Sequence, residues 1–340
     1  MDHPDEAMGQ APKRHLARSL VRRRRRLRRA LLTAGATVAL AVVGVVASRG
    51  ARNPSAGTPG TTARRAPAQS VAAAAAAASS AGTPLDPARF LPGACVAFPP
   101  TRGNRRLTVF IDAGHGGRDP GAVGATASGQ SVEEARLTLP VELDAAALLR
   151  AVGFRVVVSR TRTTAVARIG PGDMSGGIYT VHGADHEIAA RDVCANLARA
   201  SLLVGIYFDA GGSPANAGSV TGYDRDRPFW RANLRFANLL QRDVLAAMNA
   251  RGWQVPNDGV QLDVFLGGPA LSAAGARYDH LMLLGPAMAG YFTTPSRMPG
   301  ALIEPLFVTD PFEAAIASSA TGQRTIARGV AQAVEQYFAR

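Results

Sequence analysis

Residues 109–124 read VFIDAGHGGRDPGAVG. The apolar start of this run is typical of a buried strand, and His115 follows the strand in a glycine-rich turn. Glycine lets the backbone bend sharply and come close to a ligand. The end of a buried strand is a frequent position for active-site side chains in α/β domains. The run therefore predicts a strand of a layered α/β domain with His115 at its functional edge.

The chain after residue 105 alternates between apolar runs of strand length and amphipathic segments of helix length, the pattern of a layered α/β domain. Strands are predicted at 107–114, 154–160, 202–208 and 301–308, with a further one at 281–285. Helices are predicted near 137–152, 187–200, 230–251 and 314–338. The expected fold is a single three-layer αβα domain over residues 86–340, built on a mostly parallel twisted sheet.

The first 85 residues have no pattern that would form a folded core. Residues 1–29 predict a basic cytoplasmic tail, and 30–48 are uncharged, mostly apolar and about as long as a bilayer-spanning helix. The basic flank favours a single-pass signal anchor whose following domain lies outside the cytoplasm, on the cell-wall side. A cleaved signal peptide is the alternative. Residues 49–85, rich in Ala, Pro, Thr and Ser, predict a linker.

The net charge of +13 is concentrated near the amino terminus. Residues 1–30 contribute +7, whereas the chain from residue 66 onward contributes only +2. This distribution, together with the lack of any zinc-finger or RNA-binding signature, argues against a nucleic-acid partner. Cys95 and Cys194 are the only cysteines. Export would expose them to an oxidising environment that permits a disulfide, while a small buried side chain is the other interpretation of Cys194.

The run around His115 resembles the start of the N-acetylmuramoyl-L-alanine amidase catalytic domain of the amidase-3 type, in which the histidine of Gly-His-Gly-Gly binds zinc. In that family the second zinc ligand is a glutamate at the head of the next helix, about nineteen residues before the glycine that closes it. Glu134 lies nineteen residues before Gly153 and is preferred to its neighbour Glu133. The resemblance therefore implies a Zn²⁺ cofactor with His115 and Glu134 as ligands.

The third family ligand is a histidine at the end of a later strand, and Tyr207 occupies that position here. The surrounding run, ARDVCANLARASLLVGIYFDA (190–210), matches the family pattern at Arg191, Asn196 and Asp209. Tyrosine is a weak zinc ligand because its phenol titrates near pH 10. The identity of the third ligand is left open between Tyr207 itself and His182, His186, His280 or Asp209.

The fourth family element is a catalytic glutamate, and the resemblance places it at Glu304 in MPGALIEPLFVTDPFE (298–313). A carboxylate inside an apolar run is costly to bury unless it is paired or binds a ligand, so Glu304 is a functional candidate on its own. Zinc held by three protein ligands leaves an open position where water is acidified and an amide carbonyl is polarised. Glu304 would take the proton from that water.

The resemblance implies a peptidoglycan hydrolase that cleaves the amide between N-acetylmuramic acid and L-alanine of the stem peptide. Its partners would be peptidoglycan and, through the N-terminal helix, the inner membrane. The altered position at Tyr207 leaves a second hypothesis, a degenerate amidase-fold module that binds peptidoglycan or regulates a partner hydrolase without cutting. Hydrolysis of a different amide is a third.

Overall fold

The structure is a computed structural model that describes residues 82–266 and 278–339, and its described residues are organised around an eight-stranded sheet. The strands in chain order are β1 (Thr83–Pro84), β2 (Ala94–Phe98), β3 (Thr108–Ala113), β4 (Val123–Ala125), β5 (Ser131–Glu133), β6 (Arg155–Arg160), β7 (Met174–Ser175), β8 (Ile178–Tyr179), β9 (Leu202–Ile206), β10 (Ser219–Tyr223), β11 (Asn257–Leu262) and β12 (Gly300–Glu304). The helices are α1 (Glu134–Ala151), α2 (Val181–Leu197), α3 (Trp230–Asn249), α4 (Pro311–Ser318) and α5 (Ala320–Phe338). Single 3₁₀ turns lie at Pro171–Asp173 and Asp263–Phe265.

The large sheet has the strand order β1-β2-β6-β3-β9-β12-β10-β11, while β4–β5 and β7–β8 form small hairpins. Strands β6, β3, β9 and β12 are mutually parallel. Strand β10 is antiparallel to β12, with Val220 opposite Glu304, and parallel to β11. The carboxyl ends of β3, β9 and β12 therefore meet at one edge of the sheet, and those of β10 and β11 meet at the opposite edge.

Both faces of the sheet are covered, as the near-continuous apolar strands predict. In β3, Val109 and Ile111 belong to the apolar cluster that includes α1, α3 and α5. Phe110, which points to the other face, packs in a second cluster with α2 and residues 278–298. The predicted α/β fold with a mostly parallel sheet is confirmed.

Two predicted elements differ from the structure. Residues 281–285 form a turn rather than a strand. In this turn Leu281 O accepts a hydrogen bond from Gly285 N at 2.8 Å. This segment is apolar because it is buried against the sheet, not because it pairs with a strand. The predicted helix 314–338 is two helices, α4 and α5, and Ser319 between them caps α5 by accepting a hydrogen bond from Gly322 N.

Helix α2 begins at Val181, earlier than the predicted start near 187. Thr180 forms its amino-terminal cap by accepting a hydrogen bond from Gly183 N. At its other end Cys194 forms a disulfide with Cys95 of β2, so the pairing that the sequence permitted is present in the structure.

The predicted tail (1–29) and anchor (30–48) lie outside the described residues. None of the helices in the described part of the chain is long and apolar enough to cross a bilayer. The predicted linker ends at residue 85, and within its last residues Thr83 and Pro84 pair with β2. The domain boundaries stay predictions.

Candidate active site

His115 adopts a left-handed backbone conformation that residues other than glycine rarely take. Its φ is 62°, and the neighbouring Gly116 has a φ of 123°. A non-glycine residue in the left-handed region costs free energy and persists only where its surroundings hold it, which happens often at functional sites. A side chain on Gly116 would meet Thr164 O at 2.5 Å, so the turn also requires glycine there for space.

Two buried arginines hold this turn by its carbonyl oxygens. Arg160 Nη2 donates to Gly114 O at 3.0 Å, and Arg191 Nη2 donates to His115 O at 2.7 Å. Arg191 is itself fixed by ion pairs with Asp112, at 2.5 Å, and Glu187, at 2.9 Å. The position of His115 therefore depends on a charged network beneath it that offsets the cost of the buried guanidinium groups.

The imidazole of His115 lies between two carboxylates. Its Nδ1 is 2.7 Å from Asp119 Oδ2, and its Nε2 is 3.0 Å from Glu134 Oε1. Burial lowers the pKa of His115, but Glu134 and Asp119 outweigh it and raise the pKa to about 10. Without a cation in the site, the ring is thus protonated at neutral pH and forms a charged pair with each carboxylate.

Glu134, the first residue of α1, turns its buried carboxylate into the site. Its Oε1 accepts a hydrogen bond from Phe208 N at 2.8 Å, and its Oε2 accepts one from Ala122 N at 2.9 Å. Glu133 instead forms a surface ion pair with Arg136. The structure therefore places Glu134, which the family resemblance favoured, and not Glu133 against His115.

Tyr207 directs its hydroxyl away from a metal-binding arrangement. The hydroxyl donates to Asp112 Oδ2 at 2.9 Å, while the ring meets the His115 ring edge-on with 5.3 Å between centroids. Burial and the negative charge of Asp112 raise the pKa of Tyr207 well above its usual value. The hydroxyl is therefore engaged by Asp112 rather than by His115 or Glu134.

Glu304 ends β12 with its carboxyl group at the same edge of the sheet. Burial raises its pKa well above the usual range, and the charges of Asp209 and Glu134 raise it further, whereas His115 lowers it. The side chains of Glu304 and Asp209 interact, and this contact also raises the pKa of Glu304. Asp209 is held in place by its backbone, which pairs with Leu306 and Val308.

The other sequence candidates for the third ligand lie in different surroundings. His186 Nδ1 is 3.1 Å from Asp173 Oδ2, and the more exposed His182 is 3.7 Å from Asp173 Oδ1. His280 lies against Asp224 at the opposite edge of the sheet. Among the residues considered for the third ligand, Asp209 is the one whose side chain interacts with Glu304.

The donor set around His115 fits a metal ion in part. His115 Nε2 and Glu134 Oε1 are as close as two ligands of one cation, and a carboxylate on the far nitrogen of a ligating histidine is the usual outer partner. In the described residues, a group of three histidine or carboxylate ligand atoms within 4.8 Å of one another occurs only at Asp224, Asp263 and His280. The site around His115 thus has two ligands in place.

Asp119 and Asp112 belong to the site but were missed in the sequence. Asp119 stands four residues after His115, a short spacing within one loop that allows the two side chains to meet. Asp112 is a carboxylate inside the apolar run of β3, which is the same signal that identified Glu304.

A parallel sheet with a histidine and carboxylates gathered at its carboxyl edge defines an α/β protein with a candidate metal-dependent site. Residues 109–336 match the model of the N-acetylmuramoyl-L-alanine amidase family, which covers most of the chain. The chain belongs to that family.

The relatives differ substantially from this chain in sequence. N-acetylmuramoyl-L-alanine amidase AmiC of Neisseria meningitidis serogroup B is 24% identical over 255 residues, which are 70% of this chain and 54% of AmiC. The chain therefore spans about half the length of this curated relative.

Solved structures with a similar fold include two amidases. The CwlD amidase of Clostridioides difficile, solved in complex with the GerS lipoprotein, is 19% identical and has a TM-score of 0.50, with 68% of this chain and 98% of that chain covered. The AmiC2 amidase of Nostoc punctiforme is 20% identical with a TM-score of 0.48, and the match covers 70% of this chain and all of that one. The likeness to CwlD supports the same fold.

Proposed function

We propose that the protein is a peptidoglycan hydrolase that cleaves the amide between N-acetylmuramic acid and L-alanine of the stem peptide. The observation that carries this proposal is the meeting of His115, Glu134 and Glu304 at one edge of the sheet. These residues come from three separate parts of the chain, and membership of the amidase family supports the same chemistry.

The cofactor in this proposal is Zn²⁺, with His115 Nε2 and Glu134 Oε1 as two ligands and the third ligand left open. The contact of Asp119 with His115 supports it, because this contact fixes the ring with Nε2 toward the site. Tyr207 is disfavoured as the third ligand because its hydroxyl is held by Asp112. A bound zinc ion would supply a polarised amide carbonyl and a more acidic water.

Glu304 is the proton carrier in the proposed reaction. Its carboxyl group is buried beside Asp209 and Glu134, so its pKa lies well above the usual range, and a carboxyl group of raised pKa is suited to accept a proton and to release it again. It takes a proton from the attacking water and passes it to the nitrogen of the leaving L-alanine. Asp209 and Glu134 act on this step by raising the proton affinity of Glu304.

We also propose that the folded domain works outside the cytoplasm. The disulfide between Cys95 and Cys194 supports this, because disulfides persist in oxidising compartments. The basic tail and the apolar stretch 30–48 are consistent with export.

The test compares the full chain with Glu304→Gln, and with Glu335→Gln as a matched control on the surface of α5. We expect Glu304→Gln to lower the release of free L-alanine amino groups from peptidoglycan by about 10²–10⁴-fold while the zinc content is retained. Glu335→Gln should leave both unchanged. If the zinc-loaded wild type releases no amino groups but sediments with cell walls, the amidase proposal is wrong and a binding module remains.

A further inference from the structure

A second group of potential metal ligands lies at the edge of the sheet opposite His115. Asp224 follows β10 directly, Asp263 follows β11 directly, and His280 comes from the segment that resumes at residue 278. One ligand atom from each of the three lies within 4.8 Å of the other two. Asp224 and Asp263 are buried, and His280 is partly buried.

The ring nitrogen Nδ1 of His280 lies against one oxygen of each carboxylate and can donate to only one of them at a time. His280 Nδ1 is 2.8 Å from Asp224 Oδ2 and 3.2 Å from Asp263 Oδ2. A ring nitrogen has at most one hydrogen, and here the hydrogen-bond contact is the one with Asp263. Asp224 is fully buried, and its Oδ2 accepts no hydrogen bond within the described residues.

Neighbouring polar groups do not satisfy this oxygen. Asp226 N donates to the other oxygen of Asp224, Oδ1, at 2.6 Å. Arg227, which Asp224 attracts electrostatically, donates instead to the carbonyl oxygens of Leu284 and Gly285. Apart from the shared nitrogen of His280, no group of the described residues satisfies this buried oxygen, which lies where His280 and Asp263 also converge.

This group is separate from the site around His115. Val220 is opposite Glu304, and Asp224 is four residues further along the same strand direction. At about 3.3 Å per residue, the two sites are at least about 13 Å apart along the sheet. A cation bound by Asp224 would therefore share no ligand with His115 or Glu134.

We propose that Asp224, Asp263 and His280 form a structural site for a divalent transition metal, with zinc the best match. Two carboxylates neutralise a divalent ion, and an imidazole ligand favours zinc over magnesium or calcium, which prefer oxygen ligands. Ligands of a zinc ion are about 3.4 Å from one another when each is about 2.1 Å from the metal, close to the separations seen here. The ion ties the ends of β10 and β11 to the segment that covers one face of the sheet.

The proposal is tested by zinc titration of the full chain carrying His115→Ala, which removes the other site. We expect this variant to bind about one equivalent of zinc and to unfold at a higher temperature when zinc is present. The added changes His280→Ala and, separately, Asp263→Asn should each remove both effects. The change His182→Ala, at an exposed histidine, is the matched control and should keep them.

The outcomes distinguish this site from the proposed amidase site. If His115→Ala binds no zinc and shows no zinc-dependent shift in Tm, the second site is refuted. Retention of the bound zinc in a folded Asp263→Asn variant would refute it as well. Failure of the zinc site in the amidase proposal would give a different result: the wild type would bind no more zinc than the His115→Ala variant does.

Discussion

Asp119 Oδ2 lies 2.7 Å from Nδ1 of His115, and this contact leaves Nε2 of the same ring facing Glu134. The two residues are four positions apart in one loop, which turns back at Gly116 through paired backbone hydrogen bonds with Asp119. The loop therefore carries both the candidate ligand and the group that orients it.

Replacement of Asp119 by asparagine should weaken metal binding at His115. Asparagine keeps the size of the side chain but lacks the negative charge that orients the imidazole and makes it more basic, so we expect zinc affinity to fall by about 10–100-fold. Competition with a chromogenic chelator measures this. Asp86→Asn, which affects a surface contact with Arg89, is the control, and equal affinities in the two variants would contradict the orienting role.

Restoring a histidine at position 207 should strengthen metal binding. The Tyr207 ring already packs against the His115 ring, so a neutral imidazole there brings a third good zinc ligand close to the first. We expect Tyr207→His to raise zinc affinity at least about tenfold, measured by the same competition. Tyr207→Phe keeps the ring without the hydroxyl and should give no gain, and a gain in that variant would show that the phenol merely obstructs the site.

The sequence predicted the residues of this site better than their contacts. His115, Glu134 and Glu304 could be named because the runs around them resemble the family pattern, and Glu304 also because it is a carboxylate inside an apolar run. The roles of Asp112 and Arg191 depend on contacts between residues 79 positions apart, and no local spacing reveals them. For the same reason the sequence could not choose the third ligand among Tyr207, Asp209 and the three histidines.

The stability of the domain should fall with rising pH because of Glu142. Burial raises the pKa of this carboxyl group from 4.5 to about 8, with Arg160 opposing the shift and Asp112 adding to it. Between these pH values the unfolded chain releases a proton that the folded chain retains, so the free energy of unfolding decreases as pH rises, by up to about 1.4 kcal/mol per pH unit. Below about pH 4.5 the contribution is fully present.

Glu142→Gln should flatten this pH dependence. The glutamine oxygen can accept the same hydrogen bonds from Ser159, N and Oγ, without ever ionising. Urea unfolding at pH 5, 6, 7 and 8 measures the difference from wild type, with Glu335→Gln as an exposed control. Parallel curves for wild type and Glu142→Gln would contradict the raised pKa.

Loss of the disulfide should destabilise the domain. The bond closes a loop between residues 99 positions apart, so we expect Cys95→Ala with Cys194→Ala to lower the free energy of unfolding by about 2–5 kcal/mol. Urea unfolding with and without a reductant measures this. The reductant should destabilise the wild type and leave the double variant unchanged, and an effect on both would indicate a different cause.

The pattern of apolar residues predicted four of the eight strands of the large sheet, β3, β6, β9 and β12, but not three tertiary details. Residues 281–285 are as apolar as a strand because they fill the space over the sheet, and burial alone does not distinguish a strand from a buried turn. The break at Ser319 is marked only by a polar residue that also occurs inside helices. The antiparallel direction of β10 has no signal in its own residues, since direction is set by how the chain crosses the sheet.

The reversed direction of β10 also separates the molecule into two ends that can change independently. A loop inserted after β9 or β12 alters the end that carries His115, whereas a change after β10 or β11 alters the end that carries Asp224. Because the two groups have no residue in common and lie at least about 13 Å apart along the sheet, free-energy changes from substitutions at the two ends should simply add. The fold thus offers engineers one end whose chemistry can be redesigned while the other end is left intact as a fixed support.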